Sequence, residues 1–121
     1  MSKVIENLRK YAKLLVSSGL VVGAGGNLSI RDGEYMFISP SGFDLKDIEA
    51  HQWVQVHIES GEYESEFRPS SEILMHLECF RRNPTIRACL HAHPTFSVAV
   101  SSTGKEIPPI FPDFPAMIKK V

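Results

Sequence analysis

The sequence has little of what would place it among secreted, membrane-bound or nucleic-acid-binding proteins. Its 121 residues include two cysteines, Cys79 and Cys89, too few for a disulfide framework and typical of the reducing cytoplasm. The formal net charge of −1 gives no electrostatic attraction to nucleic acid. No apolar run reaches the roughly 18 residues of a membrane-spanning helix, and the charged start lacks the apolar region of a signal peptide. We therefore expect a cytoplasmic protein that binds neither nucleic acid nor membrane.

Hydrophobic periodicity and turn residues predict seven secondary-structure elements. In chain order they are a helix over 2–18, strands over 28–31 and 35–38 joined at an Asp32-Gly33 turn, a strand over 51–58, a helix over 71–82, a strand over 85–93 and a helix over 95–103. The proline-rich segment 107–115 is expected to be an extended loop, and 116–121 to begin another element. The length suits one domain, 1–121.

Side-chain patterns assign faces to three of these elements. The apolar stripe predicted for the helix over 71–82 consists of Ile73, Leu74, Leu77 and Phe80. Alternation in the strand over 51–58 places Trp53 opposite Val54, Val56 and Ile58. In the strand over 85–93 it gives an apolar face and a polar face, and the polar face carries Arg87, Cys89, His91 and His93.

His91 and His93 form a His-x-His pair on that polar face. Side chains two residues apart on a strand point the same way, about 6.6 Å apart along the chain. Two imidazoles so placed can converge on one zinc ion with Zn–N bonds of about 2.1 Å. The pair alone fits a solvated strand face equally well, and zinc requires three or four ligands.

Three short segments have the composition of anion-binding loops. The glycine-rich stretch 22–26 precedes Asn27 and Ser29, residues 39–42 are small and hydroxylic, and Ser70-Ser71 opens a predicted helix. Each also fits a plain turn or helix cap, with Ser70 as the N-cap. Glu72 complements the helix macrodipole or serves as an acid/base on a rigid element, and His76 lies one turn beyond it.

Four motifs occur in a fixed order along the chain: Gly26-Asn27-Leu28-Ser29, Ser39-Pro40-Ser41-Gly42, Ser70-Ser71-Glu72 and His91-Ala92-His93-Pro94. In this order and spacing the chain resembles the class II aldolase/adducin family over nearly its whole length. It corresponds to the N-terminal part of that family's domain, so we expect the C-terminal part to be missing. The resemblance implies an α/β fold, a three-layer α/β/α sandwich around a mostly antiparallel sheet.

The resemblance also assigns roles to residues. His91 and His93 match the family's metal-binding pair, usually with zinc, and Glu72 matches its catalytic acid/base. The positions that bind the substrate phosphate match Asn27, Ser41, Gly42, Ser70 and Ser71. The family's third metal-binding histidine lies beyond Val121, and Cys89 is a weak substitute for it. Ala24 stands where the fuculose-phosphate aldolases have a hydroxyl residue, so the resemblance does not identify the sugar of the substrate.

The implied activity is that of a class II, metal-dependent aldehyde-lyase. It would cleave a small phosphorylated ketose, similar to fuculose phosphate, by a retro-aldol reaction, and family members are usually homotetramers. A glutamate at position 72 is more similar to the aldolases and dehydratases than to the epimerases. The alternatives are a related sugar-phosphate dehydratase or epimerase, or a non-catalytic adducin-like interaction module if the metal site is incomplete.

Overall fold

Helices and strands follow one another in the predicted order, most with shorter bounds. The computed structural model describes residues 2–108, 110 and 112–113. The helices are α1 Lys3–Ser17, α2 Ile73–Arg82 and α3 Thr95–Ser101, and the strands are β1 Asn27–Asp32, β2 Tyr35–Ile38, β3 Val54–His57 and β4 Ala88–His91. The element expected over 116–121, with residues 109, 111 and 114–115 of the expected loop, lies outside the described residues. Within the described ranges, no helix has both the length and the apolar character to cross a bilayer.

The four strands form one antiparallel sheet in the order β3-β2-β1-β4. The hairpin between β1 and β2 turns at Gly33-Glu34, one residue later than the predicted Asp32-Gly33. Gly33 has a φ of 62°, and no residue other than glycine has a positive φ in the described chain. Glycine at the first turn position is the arrangement of a type II′ turn, whose twist matches that of the strands. Together with its helices the sheet makes an α/β fold.

The two faces of the sheet pack against different helices, because successive strand residues point to opposite sides. Leu28 belongs to a buried cluster with α1 that includes Ile5, Leu8, Ala12 and Leu15. The other face contributes Met36, Ile38, Val54 and Val56 to a second cluster with Leu77 and Phe80 of α2. Trp53 lies opposite Val54, as predicted, and both are buried.

Two predicted strands are longer than the observed ones. Ala50–Gln52 forms a 3-10 turn, in which the Glu49 backbone N–H donates to Oε1 of Gln52 at 2.8 Å, so the strand begins only at Val54. The strand predicted over 85–93 is reduced to β4, because Pro94 and the residues before it leave the ladder with β1. The apolar face of β4 is not covered by described residues, and Leu90 is 51% exposed.

The start of α2 and its buried stripe differ from the prediction. The helix begins at Ile73 rather than residue 71, because the preceding residues form a single turn in which the Ile73 N–H donates to the Ser70 carbonyl at 3.0 Å. Leu74 was predicted on the apolar stripe and is 69% exposed, so that assignment is wrong. Its place is taken by His76, which is fully buried. At 100° per residue His76 falls beside Ile73 and Phe80, whereas Leu74 points away.

Gly26 allows the loop before β1 to approach β4 closely. Its φ is 71°, and a Cβ at this position would lie 2.3 Å from Cγ1 of Val21 and 2.8 Å from the His91 carbonyl oxygen. Gly23 in the same loop has a similar φ of 60°, but nothing would lie within 4 Å of its Cβ. Gly26 is therefore required by both backbone conformation and space, and Gly23 by conformation alone.

Gly26→Ala is expected to lower the free energy of unfolding by about 3 kcal/mol, since it adds overpacking to left-handed backbone strain. Gly23→Ala, the matched control, should cost only the strain, about 1–2 kcal/mol. Urea unfolding of both variants measures the difference. Equal losses would contradict the close approach between the loop and β4.

His76 makes the stability of the fold sensitive to acid. Its burial lowers the pKa of the imidazole to about 4, against 6.5 in an unfolded chain. Because the unfolded state then binds more protons, the stability present above pH 6.5 is lost as the pH falls toward 4. At about 1.4 kcal/mol per pKa unit, the loss is on the order of 3 kcal/mol.

This loss is expected to be absent from His76→Gln, whose side chain does not titrate. Denaturant unfolding of both proteins between about pH 7 and pH 4 measures how the free energy of unfolding of each changes with pH. His51→Gln, at an exposed site, is the control. If wild type and His76→Gln lose stability equally over this interval, His76 is not buried in its neutral form.

Candidate active site

Three loops meet at one end of the sheet, where β1 begins and where its antiparallel neighbours β2 and β4 end. Asn27 is the register partner of His91. The Ser39 backbone N–H donates to the Leu28 carbonyl at 3.0 Å, and the His93 N–H donates to the Leu20 carbonyl at 2.9 Å. These bonds bring the glycine-rich loop, the segment 39–42 and the end of β4 together.

The start of α2 is attached to the same end of the sheet. The Ser70 N–H donates to the Ser39 carbonyl at 2.9 Å, and the Ser41 N–H donates to the Arg68 carbonyl at 2.8 Å. Oγ of Ser70 accepts a hydrogen bond from the Glu72 N–H at 3.3 Å. Ser70 therefore satisfies a backbone donor at the start of the helix, although Glu72 and not Ser70 flanks the first helical residue.

These segments enclose a cavity of about 200 Å³. Its wall contains all five residues predicted to bind phosphate, together with Glu72 and His93. None of the described residues in the wall is a lysine or an arginine, so its donors to an anion are N–H and hydroxyl groups. A wider depression of about 1050 Å³ beside β3, with Tyr35 and Tyr63 in its wall, contains none of the predicted site residues.

Glu72 is held as a carboxylate at the wall of the cavity. Nδ2 of Asn27 donates to Oε2 of Glu72 at 2.6 Å, and Nδ1 of His91 contacts the same oxygen. The hydrogen bond from Asn27 lowers the pKa of Glu72 most, partial burial opposes it, and His91 and His93 lower it further. Glu72 is therefore ionised at neutral pH, and its side chain remains 41% exposed.

His91 and His93 lie close enough to act together. Their ring centroids are 4.7 Å apart and their planes are inclined by 50°. His91 is the last residue of β4, and His93 follows the strand. Two nitrogen donors side by side, next to a carboxylate, fit part of the coordination shell of a divalent metal. No set of three or more His, Cys, Asp or Glu side chains in the described part of the chain is arranged to hold a metal.

Cys89, considered above as a substitute ligand, does not have the properties of one. It lies on the same face of β4 as His91, but it packs against the cluster around α2. Burial, together with the neighbouring Cys79, raises the pKa of its thiol to about 11. The raised pKa makes this thiol harder to deprotonate than an ordinary cysteine, and the thiolate is the form that binds a metal.

Two polar residues near the site, Ser29 and His76, are fully buried and are not among the residues that line the cavity, although Ser29 was grouped above with an anion-binding loop. Nδ1 of His76 is 2.7 Å from Oγ of Ser29, and Nε2 is 2.5 Å from Oδ1 of Asn27. Two signals pointed to them: the i, i+4 spacing of Glu72 and His76, and the polar alternation of Asn27 and Ser29 on one face of β1. These residues connect the sheet to α2 through side chains that reach Glu72.

Comparison with known proteins gives the same assignment as the motifs. The family profile described as "Class II Aldolase and Adducin N-terminal domain" matches residues 6–120. A 5-deoxy-D-ribulose 1-phosphate aldolase of Bacillus thuringiensis serovar kurstaki is 35% identical over 112 residues, which are 91% of this chain and 53% of that protein. An L-fuculose phosphate aldolase of Methanococcus maripaludis is 30% identical over 112 residues, 93% of this chain and 61% of that protein.

Solved structures share the fold. An L-fuculose 1-phosphate aldolase superposes with a TM-score of 0.77 and 39% identity, over 84% of this chain and 49% of that one. The l-fuculose-1-phosphate aldolase of Thermus thermophilus gives a TM-score of 0.81 with 27% identity, over 99% of this chain and 61% of that one. The chain thus spans about half to three fifths of the length of these proteins. Since sequence profile, relatives and fold agree over nearly all of its residues, the chain belongs to the class II aldolase and adducin family.

Proposed function

We propose that the protein is a metal-dependent sugar-phosphate aldolase that cleaves a small phosphorylated ketose by a retro-aldol reaction. The observation that carries this proposal is the placement of Glu72 and His93 in the wall of the cavity formed by the hydroxyl-rich loops, with His91 in contact with Glu72. The relatives named above as deoxyribulose-phosphate and fuculose-phosphate aldolases support the same substrate class.

The phosphate would bind at the end of the cavity formed by Ser41, Gly42, Ser70 and Ser71. Hydroxyl and backbone N–H groups at a helix start bind anions through hydrogen bonds and the partial positive charge of the helix. Asn27 is the fifth residue predicted there, and it lines the same cavity. Anchoring the phosphate fixes the reacting carbon relative to Glu72, which lowers the entropic part of the barrier.

Glu72 would move the proton in this reaction. Asn27 and His91 both bond to Oε2, so among the described residues Oε1 is left to face the substrate. In the cleavage direction the hydroxyl group that becomes the aldehyde loses a proton as the C–C bond breaks, and the carbon released from that bond takes one up. An ionised Glu72 would accept the first proton and donate it in the second step, and in the reverse direction it would take a proton from the same carbon. A carboxylate on a rigid element suits this general acid–base step.

His91 and His93 would bind a divalent metal, most simply zinc, through imidazole nitrogens. When bound, the metal would supply Lewis acidity to the substrate oxygen on which negative charge develops. The third ligand would be the histidine that the family carries beyond the position of Val121. We further propose that 1–121 is the N-terminal part of a complete three-layer α/β/α domain. We also propose that the protein is a homotetramer in the cytoplasm.

Two alternatives remain within the same site. A sugar-phosphate dehydratase or epimerase would use the same anion loops and metal ligands on a different carbon. A non-catalytic adducin-like module is favoured by one observation, that the described residues offer two histidines and no third ligand. The experiments below separate an enzyme from such a module.

Glu72→Gln is expected to retain bound metal and lose about 10²- to 10⁴-fold in kcat, because the amide cannot transfer the proton. Aldehyde release from the ketose phosphates named for the relatives measures the activity. The control is Glu78→Gln, an exposed glutamate of the same helix that pairs with Arg82 at 2.9 Å. A fully active Glu72→Gln enzyme would remove Glu72 from the mechanism.

Metal content tests the histidine pair. The complete domain, stripped with a chelator and returned to zinc, is expected to bind one equivalent, and His91→Gln should reduce that binding strongly because one of its nitrogen donors is lost. His57→Gln, which alters a histidine bonded to Ser60 at 3.0 Å on β3, is the control. A wild-type chain that binds no metal by elemental analysis would favour the interaction module.

A further inference from the structure

A chain of hydrogen bonds runs from the buried side chain of Ser29 through His76 and Asn27 to Glu72. We propose that His76 is a positioning residue: it fixes the orientation of the Asn27 side chain, which in turn holds the Glu72 carboxylate against the cavity. The proposal rests on the proposed function for its effect on turnover, and on the geometry of the described residues for the chain itself.

The direction of each hydrogen bond follows from the one before it. A carboxylate only accepts, so Asn27 must present its amide nitrogen to Oε2 of Glu72, at 2.6 Å. Its Oδ1 then faces Nε2 of His76 at 2.5 Å, which requires a proton on Nε2. Since a neutral imidazole carries one ring proton, Nδ1 is an acceptor, and the Ser29 hydroxyl 2.7 Å away is its donor.

His76 acts together with the Glu72 carboxylate to select one of the two orientations of the Asn27 amide. Rotation of an amide by 180° exchanges its oxygen and nitrogen with little change in shape, and only the hydrogen-bond partners select one orientation. In the exchanged orientation the Asn27 amide nitrogen would face Nε2–H of His76, and its oxygen would face the Glu72 carboxylate. Neither contact could be a hydrogen bond, because the first pairs two donors and the second pairs two acceptors. Asn27 is 6% exposed, so water offers little alternative.

His76 acts only through Asn27. It is fully buried, it is not among the residues that line the cavity, and its imidazole reaches Glu72 only across the Asn27 amide. Ser29, also fully buried, fixes the ring from the other side. A residue in this position affects the reacting carboxylate by orienting it. Residues that are hydrogen-bonded to metal ligands and catalytic groups have the same effect in other proteins.

The test compares two substitutions of the same residue. His76→Leu removes both ring nitrogens, whereas His76→Gln retains an amide N–H that can reach Oδ1 of Asn27. The control for lost packing is Leu77→Ala, the adjacent residue of α2, which is 2% exposed and belongs to the apolar cluster on that side of the sheet. All are made in the full chain and assayed for metal content, kcat and KM.

His76→Leu is expected to lower kcat about 10- to 100-fold, to change KM less than kcat, and to leave the zinc content nearly unchanged. His76→Gln should recover most of that loss, and Leu77→Ala should lose stability while the kcat of the folded protein is retained. Equal activities of the Leu and Gln variants, or a kcat for Leu77→Ala as low as that of His76→Leu, would overturn the proposal.

A second measurement decides the hydrogen-bond chain without turnover. Long-range ¹H–¹⁵N NMR of the uniformly ¹⁵N-labelled chain should show His76 with its proton on Nε2. The Asn27 side-chain amide should exchange slowly in wild type and His76→Gln but rapidly in His76→Leu. A proton on Nδ1, or rapid exchange in wild type, would overturn the inference. An inactive wild type with the expected NMR pattern would refute the proposed function and leave the hydrogen-bond chain established.

Discussion

The hydrogen bond from Asn27 to Glu72 is the interaction on which the arrangement of the site depends. It joins the first residue of β1 to the residue that precedes α2, 45 positions later in the chain. A hydrogen bond to a charged group contributes about 1.5–3 kcal/mol after the cost of removing both partners from water is included. Its larger effect is geometric, because it fixes the start of α2 beside the start of β1.

The antiparallel register then determines which segments share the cavity. Because β2 and β4 both run against β1, their C-terminal ends lie beside Asn27, and the segments that follow them bring residues 40–42 and His93 to the same cavity. Gly26 permits this closeness, since a side chain there would collide with the His91 carbonyl. Residues far apart in sequence become neighbours through backbone pairing, as Asn27 and His93 do at the cavity wall.

Sequence reasoning predicted most of the elements and named the residues that the structure brings together around the cavity, but it did not predict the hydrogen bonds that connect them. The periodicity of α1 and the face of Val54 and Val56 are local signals, and both are confirmed. Leu74 was wrongly predicted on the buried face of α2, because an apolar residue was given preference over His76. The burial of His76 depends on a hydrogen-bond partner on β1, Ser29. That Ser41 and Ser71 share a cavity followed only from the family resemblance, since no local pattern encodes contacts between loops.

The charge distribution in the cavity explains why a cation belongs to the proposed chemistry. Glu72 is an ionised carboxylate, and the described wall residues include no lysine or arginine to balance it. The proposed phosphorylated substrate would add further negative charge within a cavity of about 200 Å³, where two like charges repel more strongly than in water. The start of α2 contributes about half a positive charge near Ser70 and Ser71. A divalent ion at His91 and His93 would balance the remaining charge beside Glu72, in the same small cavity whose wall contains the residues predicted to bind phosphate.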